Sequence, residues 1–225
     1  MAIRILCAFI IISSSAYSQQ VGLSFSYFVP RNGYFSTPIS PFSIRGIGKD
    51  LNKFVAIETG ASLYRMSGLN IIDASFKSKN PMTGPNFTVF VPVELVFQFK
   101  GRKTELDIKG GGFGFYAFAQ KLNHGNIDRA IRDTNNWDVA NTDLNFKNKP
   151  GYGYHEGIEL TFSVTRKWGL SLEANYLRGS SSIPLSGIVK YADATGVQSK
   201  AVDEKKAKVD FTGFEFSIGI ILSGR

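Results

Sequence analysis

Few side chains in this 225-residue chain carry reactive chemistry, and most of those that do sit mid-way along otherwise apolar stretches. Two histidines, His124 and His155, and one cysteine, Cys7, are the entire stock of imidazole and thiol. That excludes an intramolecular disulfide and leaves too few ligands for a Cys- or His-based metal centre. His155 shares an alternation phase with Glu159, and an imidazole beside a carboxylate and a serine is the beginning of a hydrolytic triad. It is followed by Glu156-Gly157 rather than by a His-x-Ser arrangement. The expected role is therefore a hydrogen-bonded imidazole, and no catalytic residue is assigned. Asp128, Asp133, Asp138 and Asp143 lie among seven Asn between Lys121 and Lys149, oxygen ligands of the kind calcium takes. Their spacing does not match the EF-hand loop, so a solvated loop carrying His124 is expected, with no metal and no cofactor.

The remaining candidates are charged groups at the centres of apolar segments: Arg45, Glu58, Glu94, Lys109, His155, Glu159, Glu173 and Glu215. Five acids against two permanent cations do not balance. Buried unpaired charge is costly, so these groups are expected to neutralise one another around an enclosed polar space, with protonation or loop side chains making up the difference.

The segments that position them are strands. Period-2 alternation runs through Val21–Val29, Phe42–Gly48, Phe54–Met66, Phe87–Phe99, Glu105–Phe118, Tyr152–Val164, Gly169–Leu177 and Val209–Leu222. Most exceed the usual globular strand of about 5–6 residues and suit a tilted membrane-crossing strand of about 9–11. The connections alternate without exception between long (30–41, 67–86, 119–151, 178–208) and short (49–53, 100–104, 165–168). In a transmembrane barrel the short turns face the periplasm and the long loops face outward. An even strand number returns both ends to one side.

One face of each strand is an apolar band: Phe87, Val89, Val91, Val93, Leu95, Phe97 and Phe99 in the fourth segment, Phe214, Phe216, Ile218, Ile220 and Leu222 in the eighth. The opposite face mixes small, polar and acidic residues. Tyr27, Phe28, Tyr64, Phe87, Tyr116, Phe118, Tyr152, Tyr154 and Tyr176 form an expected outer aromatic girdle, and Phe54, Phe99 and Trp168 an inner one. Pro92 inside the fourth segment predicts a bulge or a lost ladder bond. The Gly110–Gly112 run leaves open which way the fifth segment faces.

Met1–Ser18 carries Arg4, an apolar run Ile5–Ile12 and a small-x-small site at Ala16-Tyr17-Ser18, the pattern of a cleaved signal peptide. Residues 19–225 then form a single domain. Without Arg4 the chain keeps 25 of its 26 bases against 18 acids, a net of +7. The bases are spread over turns and loops, and Asp203-Glu204-Lys205-Lys206-Ala207-Lys208 reads as a solvated strand approach. Contact with lipid A phosphates or other surface anions suits this distribution better than nucleic acid does.

In these features, and in the Gly-aromatic texture of Gly110-Gly111-Gly112-Phe113-Gly114-Phe115-Tyr116 and Gly151-Tyr152-Gly153-Tyr154, the chain resembles the small eight-stranded outer-membrane barrels, the OmpA-like and porin-family beta-barrel domains. It departs from them in ending Ile221-Leu222-Ser223-Gly224-Arg225, without a terminal aromatic. The resemblance implies an all-β, eight-stranded antiparallel up-and-down transmembrane barrel in an outer membrane, with a plugged polar lumen. It implies a non-enzymatic protein acting through its outer loops in binding, adhesion or structure. Its partners would be outer-membrane lipid or lipopolysaccharide, the outer-membrane assembly machinery and a surface ligand. A narrow cation-preferring channel and a soluble lipocalin-like barrel are the alternatives.

Overall fold

The computed structural model describes residues 20–32 and 39–223; the expected signal peptide, Met1–Ser18, lies outside the described residues. In chain order the elements are β1 (Gln20–Pro30), β2 (Ile39–Asp50), β3 (Val55–Met66), β4 (Ile71–Ile72), β5 (Asn86–Lys100), β6 (Thr104–Phe118), α1 (His124–Asn135), β7 (Val139–Phe146), β8 (Gly151–Ser163), β9 (Trp168–Ser182), β10 (Leu185–Asp193), β11 (Gly196–Glu204), β12 (Lys208–Asp210) and β13 (Gly213–Ser223). Eight of these, β1, β2, β3, β5, β6, β8, β9 and β13, pair antiparallel with their neighbours. The sheet closes where β13 pairs with β1 on one side (Gln20↔Ser223 to Pro30↔Gly213) and with β9 on the other (Gly213↔Leu177 to Leu222↔Trp168).

Alternation decides which face points inward. On β13, Ile218 is 51% exposed while its neighbour Ser217 is 7% exposed, and the same inversion recurs on every barrel strand. The apolar band is outside. A band this continuous far exceeds the exposed apolar patches of soluble monomers, and is the pattern of a wall solvated by lipid. β5 and β6 stay in one register from Phe87↔Phe118 to Lys100↔Glu105, so the glycine run makes no bulge and Lys109 faces the lumen. Pro92 faces the lumen as well. The β3–β5 ladder skips Gly60 and Ala61 opposite it without changing register, and the Thr59 hydroxyl donates to Pro92 O at 2.6 Å. The register shifts lie elsewhere, between Ser24 and Ser26 on the β1–β2 seam and, on the β2–β3 seam, between Ile39 and Phe42 and between Ile44 and Ile47. Gly46, at φ 72°, sits in the last of these, where a side chain would be strained.

The Gly-aromatic texture has a packing cause. A Cβ at inward-facing Gly153 would lie 2.1 Å from Arg178 O and 2.6 Å from Phe113 Cζ, and one at Gly151 would lie 2.3 Å from Phe115 Cζ. Glycine on β8 hollows the wall so that two rings from β6 fit inside. Gly153→Val is expected to destabilise the refolded barrel by about 1–3 kcal/mol in a urea titration, because an overpacked interior must shift backbone. Gly112→Ala, on the outer face with its nearest neighbour at 3.6 Å, is the near-neutral control.

The stretch from Lys121 to Lys149 is not a solvated loop, and with 67–86 and 178–208 it is structured. Together these stretches fold into a cap. Between Lys121 and Lys149, α1 starts at Asn123, whose side chain accepts from Asn126 N, and ends at Asn136 in the left-handed conformation. It buries Ile127, Ala130 and Ile131, positions i, i+3 and i+4 on one face. Asp128 Oδ1 accepts from Thr142 N at 2.8 Å, tying the helix to β7. His124 begins the helix and is exposed. β7, β10 and β11 form a separate three-stranded sheet, and β9 runs past the barrel to pair with β12, which pairs with β4. At the hairpin tip, hydrogen bonds from Thr195 hold the Asp193 carboxyl below the usual carboxylate range. Lys208 Nζ bonds Asp73 Oδ2 at 2.8 Å, which raises the Lys208 pKa, while Asp203, Lys205 and Lys206 of the same charge run are exposed around buried Ala207. The eighth segment, read as Val209–Leu222, is broken at Phe211-Thr212, and that break carries the plug described below.

Candidate functional site

The site is the barrel interior. It has two layers. The lower one is polar and contains the charged residues expected from sequence. Arg45 projects inward from β2, with Nη1 2.8 Å from Glu173 Oε2 on β9 and Nη2 2.6 Å from Glu215 Oε1 on β13. Lys109 on β6 bonds Glu159 on β8 and reaches Glu173 Oε1 at 3.5 Å. Glu173 therefore links the two cations. His155 Nε2 on β8 stands 3.0 Å from Glu94 Oε1 on β5, a close polar contact without the alignment of a good hydrogen bond. Glu58 is half-buried, directly across the ladder from Glu94.

Several members were missed from sequence. Tyr64 on β3 donates its hydroxyl to Glu215, and Asn175 Nδ2 reaches Glu173 Oε1 at 3.1 Å and Glu215 Oε2 at 2.9 Å. Gly157 leaves the room Asn175 needs, since a Cβ there would meet Asn175 Oδ1 at 1.9 Å. Ser26 takes a bond from Arg45 Nη2 at 3.3 Å and one from the Ser217 hydroxyl at 2.8 Å. Asp107 on β6 adds a sixth buried or half-buried carboxylate, with Oδ1 unbonded. Glu58, Glu94, Asp107, Glu159, Glu173 and Glu215 thus face Arg45, Lys109 and His155. The acidic excess is real, and no basic side chain from the cap joins an ion pair with it among the described residues. A cavity of about 20 Å³ lies among Arg45, Glu58, Asp107, Glu159 and Glu173, room for roughly one water.

The upper layer is aromatic. Phe211, between β12 and β13, stacks on Phe115 at 4.4 Å and on Phe28 at 4.9 Å, and Phe113 packs on Phe90 at 4.8 Å. Phe28 and Tyr64, expected in the outer aromatic girdle, are instead 1% exposed and inside. Their phase carried the signal: Phe28 alternates with Ser26 and Tyr64 with Ser62, both on the polar face. Tyr64 joins the layers, its hydroxyl on Glu215 and its ring edge-on to Phe90 at 6.1 Å. Above the plug, the apolar cluster runs without a break into the cap through Leu177, Ile183, Leu185, Val209 and Ile127.

OprG, an outer membrane protein of Pseudomonas aeruginosa, superimposes on this chain with a TM-score of 0.57 at 10% identity, over 92% of this chain and 96% of its own. The chain has the fold of the small outer-membrane barrels. A major outer membrane protein of Thermus thermophilus aligns at TM-score 0.46 and 9% identity, covering 90% of this chain and 98% of its own. Ail, the attachment invasion locus protein of Yersinia pestis, aligns at 0.41 and 9%, covering 90% and 94%. No protein-family model matches the chain, and no curated protein matches it in sequence. The likeness is one of architecture, carried by strand number and closure.

Proposed function

We propose that this chain is an integral outer-membrane protein of the OmpA-like kind, exported by its N-terminal signal peptide, whose barrel anchors a folded extracellular cap. The cap is its working surface and the protein is non-enzymatic. The observation that carries the reading is the double closure of the interior, by the Arg45–Glu173–Lys109 network below and by Phe28, Phe90, Phe113, Phe115 and Phe211 above. A lumen filled in this way leaves the cap to meet partners. The edge of β11 offers the most open backbone there, since residues 196–201 are exposed and only β10 pairs with the strand. Lipid or lipopolysaccharide would solvate the wall, and the outer-membrane assembly machinery would insert it.

The rival reading is a narrow cation-preferring channel, favoured by the six luminal carboxylates. Planar-bilayer recording decides between them. The refolded barrel is expected to show the unboiled-to-boiled gel shift of a folded barrel and no unitary cation-selective currents. Reproducible cation-selective steps from the wild-type chain would overturn the proposal in favour of the channel. Release of the native protein into the soluble fraction, with no heat shift, would overturn the membrane assignment itself.

A further inference from the structure

The turn end of the barrel carries a charge pattern that neither the closed lumen nor the cap explains. Its three turns display Lys49 and Lys53, then Lys100, Arg102 and Lys103, then Arg166 and Lys167, all exposed. Among the described residues Asp50 and Glu105 lie in or beside these turns, and Glu58 shares a small cavity with Lys49 and Lys100. Lys100 pairs with Glu105 at 3.4 Å, and the other six cations make no ion pair among the described residues. The cap is different in kind, with its bases interspersed among acids and several of them paired.

The turns are also fastened by hydrogen bonds. Asn52 Oδ1 accepts from Phe54 N at 2.8 Å and Val55 N at 3.0 Å. Gly101 N donates to Thr104 O at 2.7 Å, and Thr165 Oγ1 accepts from Lys167 N and Trp168 N, both at 3.2 Å. Side-chain and backbone bonds of this kind fix the level of the backbone from which the cations project. Directly above that level stand Phe54, Phe99 and Trp168, exposed aromatics at the lower margin of the apolar band, and Lys53 Nζ lies 4.7 Å over the Phe54 ring.

Hydrocarbon-facing band, aromatic margin and cationic rim succeed one another in the order a bilayer presents acyl chain, interface and phosphate. We infer that the three turns form a binding surface for anionic phospholipid headgroups in the leaflet at the turn end of the barrel. This rests on the membrane reading above. The charge selects lipid phosphate carrying net negative charge, phosphatidylglycerol over phosphatidylcholine, and the interaction is screened by salt.

The test reconstitutes the full mature chain in phosphatidylcholine bilayers containing a trace of spin-labelled phosphatidylglycerol or spin-labelled phosphatidylcholine. The association constant of each with the barrel wall is then measured. Phosphatidylglycerol is expected to be favoured roughly fivefold at low salt, about the worth of one well-placed cation, falling towards parity in 0.5 M salt. A variant with Lys49, Lys53, Arg102, Lys103, Arg166 and Lys167 all changed to Gln is expected to lose the preference. The control changes six cap cations to Gln: Lys77, Lys79, Lys121, Lys190, Lys200 and Lys206. It keeps the preference. Absence of preference in the wild type, or its loss in the cap control rather than in the turn variant, overturns the inference. Failure of the wild type to enter the bilayer at all would instead sink the membrane reading. Retention of the heat shift by the turn variant shows that it still folds.

Discussion

Arg45→Met is expected to lower the unfolding free energy of the refolded barrel by about 3–5 kcal/mol, the usual cost of stripping one partner from a buried ion pair. Arg45 touches Glu173 at 2.8 Å and Glu215 at 2.6 Å, so its loss leaves two carboxylates short of a counter-charge in an interior already rich in acid. Lys109 still reaches Glu173, and Tyr64 and Asn175 still serve Glu215, but neither Tyr64 nor Asn175 carries charge. Arg45→Lys should recover only part of the loss. A lysine here puts one point charge where the guanidinium fork presents Nη1 to Glu173 and Nη2 to Glu215. Adding Glu215→Gln to Arg45→Met should recover part as well, by removing one of the stranded charges. The readout is the urea midpoint of the heat-modifiable band. Arg65→Met, on the exposed side of β3, is the control and should stay within about 0.5 kcal/mol. Equal effects at Arg45 and Arg65 would mean that the network contributes no more than a surface charge.

The same alternation that locates these charges made most of the barrel legible in the sequence. Period 2 with a one-sided apolar face leaves little freedom: slipping a strand by one residue would turn Ile218 inward and Glu215 outward. The long-short alternation of connections followed from closure. The cap was not legible, for reasons of composition. α1 has only Ile127, Ala130 and Ile131 to bury, in a stretch dominated by Asn and Asp, so its apolar stripe is too short to stand out from a polar loop. β11 is exposed over most of its length and shows no alternation to read. β9 continues past Leu177 through Arg178-Gly179-Ser180-Ser181-Ser182, a run without apolar alternation, because pairing with β8 and β12 keeps it extended. Aromatic residues misled in another way. A phenylalanine near a strand end suits either an interface girdle or a plug, and only its phase against the neighbouring serines tells which.

Phe211 lies where the cap enters the barrel, within one apolar cluster that spans both, which makes Phe211→Ala the sharpest test of how the two are coupled. The segment carrying Phe211 is fastened at each step: Asp210 N to Asn70 O at 3.0 Å, Phe211 N to Gly179 O at 2.9 Å, and Thr212 O receiving Arg31 N at 2.7 Å. That backbone delivers a 1%-exposed ring onto Phe115, Phe28, Phe113 and Phe90 at centroid distances of 4.4, 4.9, 6.0 and 6.2 Å. Truncating such a ring costs about 3–5 kcal/mol. Because the eight barrel strands keep their ladders, the loss should fall on the cap. The expected result is an unchanged gel shift together with faster proteolysis within residues 183–210 than in the wild type. Conductance should stay absent in this variant, since the polar layer beneath still fills the lumen. Currents appearing in Phe211→Ala alone would locate the whole barrier in the aromatic layer. Loss of the gel shift would show that cap and barrel fold as one unit, with Phe211 belonging to the core of both.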